Sequence, residues 1–78
     1  MLVNLMDEGY ILSNKFRKAV FDAFASGESD INMISKKYHI HHRIANKILK
    51  DFIKNDIIVK KNNRFELSNK GKKISEKI

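Results

Sequence analysis

The sequence predicts an α+β domain that is mainly α: a three-helix core, a two-stranded β-ribbon and a short closing helix. Three observations predict it. Apolar residues recur at steps of three and four across residues 14–55. The period shortens across residues 57–67, on either side of an Asn62-Asn63 pair. A helical spacing then returns after Ser68, with Ile74 and Ile78 turned inward.

The first twelve residues form an arm, and residues 13–78 form the domain. In the arm, Leu2, Leu5 and Met6 share one side of a short helix over residues 2–8, which Gly9 closes. Ser13 or Asn14 can cap the next helix by accepting an orphan backbone N–H. Phe16, Ala19, Val20, Ala23 and Phe24 then make one apolar face over about residues 14–26. Phe21 falls off that stripe and is available for a subunit contact. Gly27 ends the helix. Ser29 and Asp30 offer caps again, and Ile31, Ile34 and Tyr38 share a face of a second helix over about residues 30–38.

The strongest period lies over about residues 42–55, where Ile44, Ala45, Ile48, Leu49, Phe52 and Ile53 fall within one arc. At ~100° per residue the opposite side carries Arg43, Asn46, Lys47, Lys50 and Lys54, with Asp51 at the margin. The β-branched run Ile57-Ile58-Val59 and the alternating Phe65-Glu66-Leu67 are the arms of the ribbon. Asn62 and Asn63 tolerate positive φ and serve as its two-residue tip.

Composition narrows the function. The chain has 78 residues, 42% hydrophobic and 32% charged, which suits one small globular domain rather than disorder. With no cysteine it has no disulfide, thiolate metal site or cysteine nucleophile. No apolar run approaches the ~20 residues needed to span a bilayer, and the start lacks the features of a signal peptide. These features fit a cytoplasmic protein. The net charge of +7 is lopsided. Residues 1–30 carry three basic against five acidic side chains, a net −2, and residues 31–78 carry thirteen against four, a net +9. A basic block of this kind suits a polyanion, although a lysine-rich face also serves solubility.

With these elements in this order, residues 13–78 resemble the winged helix-turn-helix fold. The stretch ISKKYHIHHRIANKILKDFIKNDIIVKK is similar to its second helix, turn, recognition helix and first wing strand, and FELSNKGKKISEKI to its return strand and closing helix in small prokaryotic regulators. The resemblance implies that Ser35 is the small residue where the two helices approach and that Ile40 plugs the core beneath the turn. It also implies that Ile44, Ile48, Leu49 and Phe52 are the buried face of the recognition helix. Two residues depart from the pattern. His39 stands where a turn glycine is usual, a left-handed position that His tolerates at modest cost. His41 stands where Ser or Thr usually caps the recognition helix, so a shifted or frayed first turn is expected.

Within that frame the candidate DNA-contacting residues are His42, Arg43, Asn46, Lys47, Lys50 and Lys54, with Lys60, Lys61 and Arg64 on the wing and Lys36 and Lys37 on the second helix. An α-helix fits the major groove; Arg pairs bidentately with guanine and Asn with adenine, whereas lysines suit phosphates. Lys70, Lys72 and Lys73 read as a solvated face. Three clustered imidazoles have some affinity for zinc or nickel, but no cysteine or nearby carboxylate completes a shell, so no metal is assigned. His41 and His42 can instead add charge beside phosphates, which predicts tighter binding near about pH 6 than about pH 8. No acidic pair, activated nucleophile or Gly-rich phosphate loop is present, so neither an enzyme nor a cofactor or small-molecule site is expected. The expected partner is double-stranded DNA, with a homodimer through the arm or last helix possible. The competing readings are a winged-helix adaptor that binds protein, and a binder of structured RNA.

Overall fold

Helices over residues 15–25, 31–37, 42–54 and 69–77 each start at a polar cap, and the first three of these stop at one residue of positive φ, which is what sets the path of the backbone. The computed structural model describes residues 5–78, with side chains from Glu8 onward. The elements are α1 (Leu5–Leu12), α2 (Lys15–Ala25), α3 (Ile31–Lys37), α4 (His42–Lys54), β1 (Ile58–Lys61), β2 (Arg64–Leu67) and α5 (Asn69–Lys77). This is a winged helix with a closing helix, preceded by one further helix. No helix among the described residues is long and apolar enough to cross a membrane.

Asn14 caps α2 by accepting from the N–H groups of Phe16 (2.8 Å) and Arg17 (3.2 Å). Asp30 caps α3 through the Asn32 N–H, and Ser68 caps α5 through that of Gly71. At the other ends one motif recurs. Gly27 (φ 100°), His39 (φ 55°) and Asp56 (φ 62°) each follow a helix in the left-handed region. Across them Glu28 N–H reaches Ala23 O, Ile40 N–H reaches Ser35 O and Ile57 N–H reaches Phe52 O, at 2.8–3.1 Å. That six-to-one bond, with the five-to-two bond inside it, satisfies the carbonyls left over at a helix C-terminus. His39 thus occupies the left-handed turn position expected of it. Ser35 Oγ also donates to Ile40 O (2.5 Å), which ties the helix to the turn.

Asn62 (φ 50°) and Asn63 (φ 66°) form the two-residue tip that joins β1 to β2. The register runs from Ile58 opposite Leu67 to Lys61 opposite Arg64. Phe65 N–H crosses to Ser29 O on the outer edge of β2. At the base, Ser68 Oγ donates to Asp56 O and Ser68 N–H to Ile57 O, which pins α5 beneath the ribbon. Gly71 lies so close to this corner that a Cβ would collide with the Ile57 carbonyl.

The core is centred where the edge of Phe21 meets Phe52, ring centroids 6.4 Å apart, with Ile11, Ile34, Ile57 and Ile74 fully buried around them. Five expectations are corrected. Ile78, expected inward with Ile74, is exposed as the cap residue beyond the end of α5. Phe21 is 1% exposed and forms no surface for a subunit contact, because α2 packs against α1, α4, β2 and α5 and so buries more than one stripe. Ile44 and Ile53 are 42% and 40% exposed. The buried residues of α4 are Ala45, Ile48, Leu49 and Phe52, and Ile44 and Ile53 each lie about 90° from the middle of that arc. Tyr38 caps the end of α3 and is partly exposed rather than packed with Ile31 and Ile34. Gly9 lies inside α1, which runs on to Leu12. Ile11 and Tyr10 of that extra turn pack on the core. Leu2 and the side chains of Leu5 and Met6 lie outside the described residues.

Candidate nucleic-acid interface

The recognition helix α4 divides cleanly. Its buried arc faces α2, α3 and β1, and Arg43, Lys47, Lys50 and Lys54 are exposed along the opposite side. Its first turn is intact, contrary to the frayed start expected from a histidine cap. His41 Nδ1 accepts from the Arg43 N–H at 3.1 Å, and His41 O accepts from the Ala45 N–H at 2.9 Å. An imidazole nitrogen accepts only when it carries no proton. A proton on His41 Nδ1 is therefore incompatible with the cap. The two rings stack with centroids 4.6 Å apart. Among the described residues no group of three His, Asp or Glu side chains is placed to hold a metal ion.

Asn46 is only half-exposed, and its Nδ2 donates to the His42 carbonyl at 2.8 Å. That bond uses one of the two Nδ2 hydrogens and leaves the other, with Oδ1, for a base edge. Lys47 is 79% exposed and lies 3.8 Å from Asp51 Oδ2, a loose ion pair of the kind worth ~0–1 kcal/mol.

The wing places Lys60, Lys61 and Arg64, all exposed, around the exposed Asn62-Asn63 tip. Lys61 pairs with Glu66 across the ribbon at 3.4 Å, and the Lys60 ammonium sits 6.0 Å from the centre of the Phe65 ring. Lys36 and Lys37 are exposed at the end of α3, where Lys37 lies 3.7 Å from Glu28.

One contact to α4 has no signal in the sequence. The Tyr10 hydroxyl of α1 donates to Asp51 Oδ2 at 3.2 Å, and its ring meets Phe52 edge-on at 6.2 Å. The Arg17 guanidinium stacks 4.0 Å from the centre of that ring, with Nη1 donating to Tyr10 O at 2.9 Å. Burial, then the neighbouring Asp51 carboxylate, hold the Tyr10 phenol above its ordinary value of 10.0, while Arg17 pulls it part of the way back. The phenol is therefore a hydrogen-bond donor throughout the neutral range.

A family model for the winged helix-turn-helix matches residues 18–78, from within α2 to the end of α5. No curated protein and no solved structure matches the chain.

Proposed function

The chain belongs to the winged helix-turn-helix family, and from that premise we propose that it binds double-stranded DNA sequence-specifically, as a transcriptional regulator. The family supports a DNA-binding role in general. The finer reading is carried by one observation: the side of α4 opposite the core is a stripe of exposed cations, Arg43, Lys47, Lys50 and Lys54. A protein-binding adaptor would more often present apolar residues there.

In this reading α4 enters the major groove, where Arg43 pairs with guanine and Asn46 with adenine. Lys47, Lys50 and Lys54 hold phosphates, as do Lys60, Lys61 and Arg64 of the wing on the flanking backbone. His42, Lys36 and Lys37 touch phosphates at the edge of the site. A homodimer would read two half-sites one or two helical turns apart. Such a protein works in the cytoplasm beside its target DNA.

Selection of bound duplexes from a random pool, followed by titration of the winner, tests the proposal. A single enriched motif is expected. With about five phosphates neutralised, log K should fall against log salt with a slope near −4 to −5. An unenriched pool would refute sequence-specific binding, and a flat salt response would refute DNA binding altogether.

A further inference from the structure

Lys47 and the Tyr10 hydroxyl address the same atom. Asp51 Oδ2 lies 3.2 Å from the phenol oxygen of Tyr10 and 3.8 Å from Lys47 Nζ. Asp51 is the one acidic residue of α4, at the margin of its cationic stripe. From there it opposes DNA in two ways: its charge repels phosphates, and its carboxylate competes with them for Lys47.

Resting on the DNA-binding reading, we infer that Tyr10 is a positioning residue for the DNA-facing stripe: by occupying Asp51 Oδ2 from α1, it keeps Lys47 available to a phosphate. A hydroxyl that donates to a carboxylate draws on the lone pairs that an ammonium would otherwise take; at 3.2 Å this bond is longer than a close O–H···O⁻ contact of ~2.5–2.7 Å yet nearer than Lys47. The observed distances agree with that outcome. The Lys47 pair stays well beyond the ~2.7–2.9 Å of a close ammonium–carboxylate contact. The phenol is itself held in place. Arg17 covers one face of its ring and binds its backbone carbonyl, and Phe52 in the core meets the ring edge-on. Asp51 is thereby drawn toward α1, and the ammonium of Lys47, four residues back, remains largely in solvent. Through this contact α1 sets the charge presented by a helix whose far side it helps to bury.

The test uses the full chain and a random-sequence DNA duplex, with affinity followed by fluorescence anisotropy from about 50 to about 200 mM salt. Tyr10→Phe keeps the ring and removes the hydroxyl. It is expected to let Asp51 close on Lys47, weaken binding roughly threefold and make the salt slope shallower by up to about 0.9, one phosphate contact. Asp51→Asn is expected to tighten binding by a similar factor, and adding Tyr10→Phe to it should change nothing further. A purely structural tyrosine would lower the melting temperature of Y10F while leaving the affinity and salt slope of the folded protein unchanged, and that result overturns the inference. Asp51→Asn in a Lys47→Ala background is a second cycle that does not depend on Y10F folding. Because Tyr10 already frees Lys47, D51N should tighten the K47A protein as much as the wild type; if it tightens K47A much less, Asp51 holds Lys47 despite Tyr10, and the inference again fails. A wild-type protein with no affinity for the duplex overturns the functional reading itself and this inference with it. Wild-type binding that Y10F and D51N leave unchanged overturns the inference alone.

Discussion

The imidazole of His41 accepts the backbone N–H of Arg43 at 3.1 Å, so the residue proposed to read a base stands on a cap made by a histidine. Removing a helix cap typically costs about 0.5–2 kcal/mol. His41→Ala should lose stability in that range by urea unfolding, and His41→Ser, with a better capping oxygen, should match or exceed the wild type. A His41→Ala protein as stable as the wild type would show that the Nδ1 contact contributes nothing.

Gly71 sets two effects of opposite sign against each other. Replacing a glycine inside a helix by alanine ordinarily gains about 1 kcal/mol in propensity. Here the new Cβ would strike the Ile57 carbonyl oxygen, a backbone atom that is already bonded to Ser68 N–H and cannot swing aside. Overpacking of this kind costs about 1–3 kcal/mol, and a backbone collision belongs at the upper end. Gly71→Ala should therefore be net destabilising in thermal melts. An increase in melting temperature would show that α5 is free to move off the corner.

How far such relationships can be read from sequence depends on their span. The halves of α4 follow from period alone, because four buried residues at steps of three and four leave the cations no other side. His39 is legible through the resemblance, which puts a left-handed turn residue there, and it follows the cap residue Tyr38 at φ 55°. Phe21 is not legible, since a one-dimensional stripe cannot tell that four elements surround α2. Gly9 misleads because glycine inside a helix is disfavoured by only about 1 kcal/mol, which the packing of Tyr10 and Ile11 in the next turn offsets. The Tyr10–Asp51 bond joins residues 41 positions apart, and nothing local to either one points to the other.

Arg43 and the exposed lysines are expected to respond differently to substitution, because bases carry sequence and phosphates do not. Arg43→Ala should cost about 1–3 kcal/mol on the selected duplex and relax discrimination at one base pair. Lys50→Ala or Lys61→Ala should weaken every duplex alike and reduce the salt slope by about 1. Anisotropy on the selected duplex and a scrambled one separates the two classes. Uniform loss for Arg43→Ala would assign that residue to the backbone instead.

The raised titration of Tyr10 gives a test of α1 docking that needs no DNA. Its phenol lies above 10.0 in the folded chain, first through burial and then through the Asp51 carboxylate, and returns to its ordinary value when the chain unfolds. The folded state therefore keeps the proton at a pH where the unfolded state has lost it. It follows that this contribution to stability is complete below about pH 10 and is lost as pH rises through the folded value. Wild type and Tyr10→Phe differ at this one residue, so the difference in their unfolding free energies isolates the phenol. That difference should shift against the wild type above about pH 10. Tyr38→Phe leaves Tyr10 as the sole tyrosine, whose ionisation is visible by ultraviolet absorbance. Its midpoint should lie above 10.0 and fall when Asp51→Asn removes the neighbouring charge. A midpoint at or below 10.0, or one indifferent to Asp51→Asn, would place α1 away from the recognition helix in solution.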